Sequence, residues 1–579
     1  MGYFPLIALL FAATAFAQSP PAWVAKSNRN AQILIDIEEK YSPESATSEG
    51  VKGLDDKISS ISEERRRRVE EETRKAKAEL ETRLAKEQDP LVKQDLQILI
   101  DHADRNIRGS EASLKTYLPY EDVTGMVFFG VKSLLDDQIA PERRPAALVR
   151  MKKYAGMESG YVPIVAQAEQ MFRDALKRPG LRYPAKVEVQ KNLENTNAYV
   201  NGIQALFEKY KIAGYQPVFA KLKQQLTEYD DFVRKEVLPK SPDDFRLPPE
   251  IYKLQLEQYG ADYTPAELER MAHQSFTELQ GQMEELARKV AKERGYPATD
   301  YRSVIRALKQ EQIKGDDILP FYKRRLADIE DILRKQHLIT LPNRPAIIKI
   351  ASAAETAQQP APHMDPPPLV NNHGERGAFV LPLETQGAGG EALKYDDFSY
   401  DAVAWTLTAH EARPGHELQF DAMVEHGVSL ARAKYAFNST NVEGWGLYSE
   451  WFMRPWLPDD GKLVSLDFQL LRAARAFLDP ELQEGKITPD QAMQLLENDV
   501  VCSKAFATEE VERFTFRMPG QAVSYFDGFT RLMEIRQAAE KALGPKFDVM
   551  KFHDFVLTEG LLPPDLLRKA VMEDFVAKQ

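Results

Sequence analysis

Four residues in the last third of the chain have side chains that can bind a metal ion and use it. His410 and His416 begin and end the run HEARPGH, Glu411 follows the first histidine, and Glu443 begins the run EGWGLYSE. Two neutral imidazoles and one carboxylate are the ligands that a catalytic zinc requires, with a fourth position left for water. Zinc proteases carry their general base directly after the first histidine. These residue types therefore indicate a hydrolytic zinc site.

The spacing of the two histidines requires a break in the helix that carries them. In the usual H-E-x-x-H motif the histidines are four residues apart, about 40° around a helix of 3.6 residues per turn. His410 and His416 are six residues apart, about 240° around such a helix, and could not reach one ion from an unbroken helix. Pro414 and Gly415 lie between them, and proline removes a helical donor while glycine permits unusual backbone angles. The sequence predicts that the helix is interrupted here.

The elements that position this motif are predicted to be mainly helical. Strong helix formers with opposite charges at helical spacing fill 62–86, and an apolar stripe of helical period runs through 265–292. Two short strands are predicted at 347–352 and 377–384, just before the motif. The second is predicted at a sheet edge, because it contains Pro382.

The predicted organisation of the chain has four parts. An apolar run ends in Ala-Phe-Ala at Ala17, which is typical of a cleaved export signal. The Pro-rich stretch 356–370 is expected to be irregular or polyproline-like. The four parts are a signal peptide at 1–17, a helical region at 18–345, a strand-containing and Pro-rich segment at 346–396, and a helical catalytic region at 397–579.

Composition excludes some classes of partner. The 579 residues carry a net charge of −12, so a nucleic-acid partner is not expected, because phosphate binding needs clustered positive charge. After signal cleavage, no stable membrane insertion is expected. The single Cys502 cannot form an internal disulfide and is interpreted as a buried small hydrophobe. An exported chain without disulfides is expected in a bacterial periplasm or outside the cell.

Three motifs in order resemble a known family. HEARPGHELQ, EGWGLYSE and PGQAVSY are similar to the motifs of the DUF885 proteins, which resemble in turn the helical gluzincin peptidases. The resemblance is strong from Pro366 to Leu567. It implies a large helical domain of two lobes with a central cleft. It also implies that His410, His416 and Glu443 bind Zn²⁺, with Glu411 as general base.

The same resemblance implies roles for further residues around the ligands. Tyr525 would stabilise an oxyanion, and Phe379 and Val380 belong to a strand, GAFVLPLE, that resembles the edge strand pairing with a substrate backbone. Arg513 and Gln521 match the family pattern. Arg513 could bind a substrate carboxylate as a bidentate fork or form a structural ion pair.

Two more residues are candidates for supporting the ligands. Glu450 lies seven residues after Glu443, on the same helical face, and could accept a hydrogen bond from a ligand histidine or lie at the surface. His553 matches the family motif Phe-His-Asp and is expected to have a structural hydrogen-bonding role. One position departs from the family, because Gln483 stands where a histidine is usual. Glutamine can donate a neutral hydrogen bond but cannot shuttle a proton.

The sequence predicts an exported zinc metallopeptidase that hydrolyses short peptides. One alternative is a metal-dependent amidohydrolase with the same ligands that acts on non-peptide amides. Another is a non-enzymatic helical binding protein whose site has decayed, which the glutamine at 483 makes conceivable. The cleavage mode, the side-chain specificity and the oligomeric state stay open.

Overall fold

The computed structural model describes residues 21–342, 344–386 and 392–578. The predicted signal peptide lies outside these residues. The prediction of a mainly α-helical chain is confirmed, whereas the two lobes and the central cleft stay predictions. In the described part, no helix is both long enough and apolar enough to cross a membrane.

Helices fill the chain up to residue 342. The third helix begins after Ser62, whose side chain accepts a hydrogen bond from the Arg65 backbone, and it confirms the helix predicted from the charge pattern. The eleventh confirms the helix predicted from the apolar stripe. The helices are α1 (Ala22–Tyr41), α2 (Pro43–Ser48), α3 (Glu63–Lys86), α4 (Pro90–Thr116), α5 (Val123–Lys132), α6 (Ala146–Tyr154), α7 (Ile164–Ala175), α8 (Lys186–Lys209), α9 (Gln216–Phe232), α10 (Pro249–Tyr259), α11 (Pro265–Arg294), α12 (Tyr301–Lys309) and α13 (Ile318–Lys335).

A small sheet precedes the metal motif. Its strands and the helix between the first two are β1 (Ile347–Ile350), α14 (Ala353–Gln358), β2 (His363–Asp365) and β3 (Ala378–Leu381). β3 pairs in parallel with β1 and antiparallel with β2, and so occupies the centre. A hairpin of β4 (Glu384–Gln386) and β5 (Ala392–Lys394) follows. The stretch predicted to be irregular therefore contains part of a helix and one strand.

The prediction that 377–384 forms an edge strand is wrong. Both sides of β3 are paired, so its backbone groups are not free to bind a substrate chain. The Phe379 and Val380 side chains are fully buried, which removes them as substrate-binding residues. The proline that suggested an edge, Pro382, follows the last residue of the strand. Its missing N–H therefore falls outside the ladder and does not report on the neighbours of the strand.

The remaining helices carry the candidate site. The first two of these helices are separated by the break that was predicted between His410 and His416. They are α15 (Asp401–Glu411), α16 (His416–His426), α17 (Ser439–Met453), α18 (Asp459–Gln483), α19 (Pro489–Asn498), α20 (Lys504–Glu512), α21 (Val523–Leu543), α22 (Val549–Thr558) and α23 (Pro564–Ala570).

The metal motif lies where two hydrophobic cores meet. One core joins α11, α12 and α13 to α15 and α18, and it includes Leu407. The other joins α1, α3 and α4 to α17, α21 and α22, and it includes Ala409. Because both residues belong to α15, the helix that carries His410 is packed from two sides. Cys502 is buried, as predicted.

Two glycines let α17 and α21 approach almost to backbone contact. A Cβ at Gly528 would lie 1.9 Å from the carbonyl oxygen of Thr440, and one at Gly444 would lie 2.6 Å from the carbonyl carbon of Gly528. No side chain fits between these backbones. The close crossing fixes the position of Glu443, next to Gly444, relative to Tyr525 on the other helix.

Replacing Gly528 with alanine should destabilise the protein by about 2–3 kcal/mol, because the added methyl group forces the two helices apart. Thermal and denaturant unfolding measure the loss. Gly281→Ala is the matched control, since its Cβ would meet no atom within 4 Å. Alanine at this exposed helical position should add up to about 1 kcal/mol. Equal stability of Gly528→Ala and the wild type would show that the crossing is not tight.

Candidate metal centre

The helix is interrupted between the two histidines, as the spacing requires. α15 ends at Glu411 and α16 begins at His416. The backbone in between leaves helical geometry, with ψ −105° at Ala412 and ψ −133° at Gly415, and the peptide bond before Pro414 is cis. A Cβ at Gly415 would lie 1.8 Å from the carbonyl oxygen of residue 410. Only glycine allows this close return of the chain.

The break brings the three predicted ligands together. Oε2 of Glu443 lies 3.4 Å from Nε2 of His410 and 3.3 Å from Nε2 of His416. The two imidazole rings stand nearly perpendicular, at an interplanar angle of 85° with centroids 4.6 Å apart. Ligand atoms that each lie about 2.0–2.2 Å from a tetrahedral zinc are separated by roughly this distance. Both distances from Glu443 therefore suit a shared ion.

α17 leaves room for the two imidazoles by carrying a glycine beneath them. A Cβ at Gly446 would lie 2.6 Å from Cε1 and 2.7 Å from Nε2 of His410, and 2.9 Å from Cε1 of His416. Any side chain at this position would displace both imidazoles. The run EGWG therefore supplies both the carboxylate of Glu443 and the space that the two imidazoles occupy.

The chemistry of the donor set fits a metal ion better than a purely internal network. Oε2 of Glu443 is buried and faces both histidines, yet it accepts no hydrogen bond within the described part of the protein. Oε2 of Glu411 is also buried without a partner. His410, Glu411 and His416 offer ligand atoms that lie within 4.8 Å of one another. Buried carboxylate oxygens without partners are costly, and a shared cation removes that cost.

The pKa values of the two carboxylates at the site, Glu443 and Glu411, are shifted in opposite directions. Burial by itself raises the pKa of Glu443, but the two imidazoles beside its carboxylate outweigh burial and hold the pKa well below its ordinary value. Burial raises the pKa of Glu411, and the neighbouring Glu443 raises it further. Glu443 is thus held as an anion between the two imidazoles, whereas Glu411 is the more basic of the two carboxylates.

Glu450 orients the first histidine. Its Oε1 lies 2.7 Å from Nδ1 of His410 and 3.2 Å from the guanidinium of Arg472, and its Oε2 accepts a hydrogen bond from Thr406 at 2.6 Å. The side chain is fully buried, so it is not a surface carboxylate. By accepting the Nδ1 proton it leaves the Nε2 lone pair of His410 free for a metal ion.

The substitution Glu450→Gln should weaken zinc binding by about 10–100-fold, because the amide cannot hold the imidazole as a carboxylate does. Competition with a fluorescent chelator measures the affinity. Glu540→Gln on α21, where the carboxylate is about 41% exposed, is the control and should bind zinc like the wild type. An unchanged zinc affinity in Glu450→Gln would refute the role in orientation.

Tyr525 lies beside the ligands on α21. Its ring stacks against His410 at an interplanar angle of 22° with centroids 6.2 Å apart, and the guanidinium of Arg475 covers it at 4.4 Å. Arg513, at the start of a π-helical turn, donates a hydrogen bond to the phenol oxygen at 3.1 Å. Because the oxygen accepts from Arg513, its own proton is available to another acceptor. Burial raises the pKa of Tyr525, which keeps the phenol protonated.

Arg513 and Gln521 are placed by the structure next to the site, but their side chains are engaged within the protein. Arg513 is buried and pairs with Glu509 at 3.0 Å, which is the structural ion pair left open by the sequence. The Gln521 amide donates to Ser439 at 2.9 Å and to Oε1 of Glu443 at 3.4 Å. Both residues therefore position others, Tyr525 and Glu443, in this structure.

His553 and Gln483 have structural hydrogen bonds. His553 is buried between the Tyr448 hydroxyl and the carbonyl of Leu338, each at 2.8 Å. Burial lowers its pKa to about 3, which keeps it neutral, and these partners do not include a metal ligand. The Gln483 amide donates to the carbonyl of Phe514 at 2.7 Å and accepts from the backbone of Leu247 at 2.9 Å.

Sequence reasoning missed three supporting residues. Arg472 and Arg475 lie on α18, far in sequence from the HEARPGH motif, and no local sequence pattern links them to it. Thr406 precedes His410 by four residues on α15, and this helical spacing is a signal that could have found it.

Comparison with known proteins gives the fold and the family. The crystal structure of a protein from Colwellia psychrerythraea, described as a lipoprotein, has a TM-score of 0.72 at 18% identity, covering 96% of this chain and 99% of its own. A structure from Shewanella oneidensis, described as a lipoprotein of unknown function, has a TM-score of 0.70 at 18% identity, covering 95% and 100%. No curated protein matches this chain. Residues 43–571 match the family described as bacterial protein of unknown function (DUF885), and the chain belongs to that family.

Proposed function

We propose that this protein is a zinc-dependent metallopeptidase that hydrolyses short peptides. One observation carries the proposal: a buried carboxylate oxygen of Glu443 faces Nε2 of both His410 and His416 at 3.3–3.4 Å without accepting a hydrogen bond. Two imidazoles and one carboxylate suit zinc and leave a coordination position open. The likeness to gluzincin peptidases rests on the sequence motifs and is part of the proposal.

Glu411 is the general base in this proposal. A zinc ion held by the three ligands supplies Lewis acidity, which activates water and polarises a carbonyl. Glu411 has a free buried oxygen within reach of the ligand atoms and a raised pKa. Its carboxylate takes the proton from the attacking water and passes it to the departing amine.

Tyr525 stabilises the negative charge that develops on the carbonyl oxygen of the substrate. Arg513 occupies the acceptor side of the phenol, which directs its O–H elsewhere, and Arg475 lies over the ring face. Such a preorganised donor in a buried site is worth more than the same group in water. Arg513 and Gln521 act by holding Tyr525 and Glu443.

The outer strand β2 replaces β3 as the proposed contact for a peptide backbone. Within the described residues β2 pairs on one side only, so its other side has free backbone groups. Its second residue, Met364, packs against the cluster that contains Phe420 and Met423 of α16, the helix that begins at His416. A peptide that added a strand here would use main-chain hydrogen bonds and accept varied side chains.

The substitution Tyr525→Phe should lower kcat by about 10²–10³-fold and leave KM nearly unchanged, because the phenol acts only on the transition state. Steady-state kinetics on a peptide substrate measure both constants. Tyr448→Phe is a control, since its hydroxyl bonds to His553 and Arg536 rather than to the site. Equal losses of kcat in the two variants would contradict the assignment.

The function is tested by metal analysis and a substrate panel. The purified chain should contain about one zinc, lose activity with 1,10-phenanthroline and recover it with zinc. Dipeptides and tripeptides should be hydrolysed faster than N-acylated amides without a peptide bond, whereas the opposite order would favour the amidohydrolase. A chain that binds no zinc under any loading condition would leave the decayed binding protein as the better explanation.

We also propose that the chain is exported. The A-x-A site after the apolar run and the description of the two structural neighbours as lipoproteins support this location. Mass spectrometry of the protein recovered from a bacterial periplasm should show Gln18 as the first residue.

A further inference from the structure

A buried group of three arginines and three glutamates surrounds the phenol of Tyr525. Arg472 and Arg475 come from α18, and Arg513 begins the π-helical turn after α20. All six charged side chains are buried. Each arginine has a glutamate within ion-pair distance, so three positive charges are matched by three negative ones. The pairs are Arg472 with Glu450 at 3.2 Å, Arg475 with Glu510 at 2.5 Å, and Arg513 with Glu509 at 3.0 Å.

The positive charges of this group face the phenol. The guanidinium of Arg475 lies 4.4 Å from the centre of the Tyr525 ring, and that of Arg472 lies 5.6 Å from it. Arg513 donates a hydrogen bond to the phenol oxygen at 3.1 Å. A cation over an aromatic ring is attracted by its π electrons, and a cation near a phenol favours negative charge on the oxygen. The arrangement therefore polarises the O–H bond of Tyr525.

Glu510 on α20 holds Arg475 in its place against the ring. Nε and Nη2 of Arg475 donate to the two oxygens of Glu510 at 2.6 and 2.5 Å, and this fork fixes the plane of the guanidinium. Burial raises the pKa of Glu510, but Arg475 and Arg513 outweigh burial and lower it, so the carboxylate stays ionised. A buried ion pair can often be replaced by apolar side chains without loss of stability. Stability alone therefore does not account for a pair of charges at this position.

We propose that Arg475 and Glu510 are positioning residues that make Tyr525 a stronger hydrogen-bond donor. Glu510 holds the guanidinium against the ring, and the cation strengthens the O–H group that stabilises the oxyanion. This role rests on the proposed peptidase function, because it concerns the same phenol. The pair acts through Tyr525 and needs no contact with the substrate. Its effect therefore belongs to the transition state rather than to substrate binding.

A double-mutant cycle with Tyr525 tests the role of the pair. Arg475→Met/Glu510→Met removes both charges together and so leaves neither of them buried without its partner. In the zinc-loaded protein this change should lower kcat on a short peptide by about tenfold to thirtyfold and alter KM by less than about twofold. In the Tyr525→Phe background the same change should lower kcat by less than about twofold, because the phenol through which the pair acts is gone. A pair that only supports the fold would lower kcat equally in both backgrounds.

A similar pair elsewhere in the chain is the matched control. The guanidinium of Arg302 lies 4.4 Å from the centre of the Tyr301 ring and pairs with Asp499 at 2.6 Å. Arg302→Met/Asp499→Met should keep the kcat of the wild type. Thermal unfolding shows whether each variant is folded. If the methionine variant of the Tyr525 pair does not fold, Arg475→Lys replaces it in the cycle. Lysine keeps the charge beside the carboxylate but lacks the planar fork, and it should lower kcat by about threefold or more only where Tyr525 is present.

The failure of this inference can be told apart from a failure of the proposed function. Equal losses of kcat in the wild-type and Tyr525→Phe backgrounds would overturn the role of the pair and leave the peptidase standing. An unchanged kcat in Arg475→Met/Glu510→Met, or an equal loss in the control, would do the same. If the zinc-loaded wild type hydrolyses no peptide, the proposed function fails, and the role of the pair fails with it.

Discussion

Replacing Glu411 with glutamine is expected to lower kcat by about 10²–10⁴-fold while zinc stays bound, because the amide cannot accept a proton from the attacking water. The three ligands are untouched, and glutamine has nearly the same shape as glutamate. Substrate affinity should change little, so the loss appears in kcat and kcat/KM alike. The measurement is steady-state hydrolysis of a short peptide, with the zinc content of the same preparation determined by mass spectrometry.

A matched control distinguishes the base from a general effect of charge. Glu425→Gln, at the other end of α16, removes a carboxylate that is about 38% exposed and should keep wild-type activity. If Glu411→Gln hydrolyses peptides at the rate of the wild type, the metallopeptidase proposal fails. If Glu411→Gln also loses its zinc, Glu411 is a ligand rather than the base.

The second large effect is expected for Gly415→Ala, which should lower zinc affinity by more than about 100-fold. The new Cβ would lie 1.8 Å from the carbonyl oxygen of His410 and 2.5 Å from that of Ala409. The backbone must move, and the two histidines that flank the break move with it. Metal ligands must be held within about 0.5 Å of productive geometry. Relief of a 1.8 Å contact requires a larger backbone movement than that, so the two imidazoles move apart.

Zinc affinity by chelator competition and the melting temperature are both measured for Gly415→Ala. Gly109→Ala on α4 is the control, since no atom lies within 4 Å of its added Cβ. Circular dichroism shows whether the variant keeps its helices. A folded Gly415→Ala protein that binds zinc as tightly as the wild type would mean that the break does not depend on glycine at this position.

Much of the site follows from residue types and spacing alone. Two histidines six residues apart cannot share an ion on an unbroken helix, and Pro-Gly between them marks the break that the structure contains. Helical periodicity likewise predicted α3 and α11 nearly to their ends. These features are local, because they depend on neighbours within a few residues along the chain.

The neighbours of a strand could not be obtained in the same way. β3 was expected at an edge, but β1 and β2 cover both of its sides. Parallel pairing with β1 joins segments about thirty residues apart. The residues within β3 do not indicate how many strands pair with it at that distance along the chain. Pro382 suggested an edge strand, but it lies just beyond the end of β3, where its missing N–H does not affect strand pairing.

The sequence by itself determined the candidate donor atoms, the interruption between them and the mainly helical fold, because each depends on local chemistry and helical geometry. The tertiary structure decided which carboxylate supports His410, how closely Glu443 faces both imidazoles, and that Arg513 holds Tyr525. These features arise where helices distant in sequence pack together, and packing is settled by the whole chain.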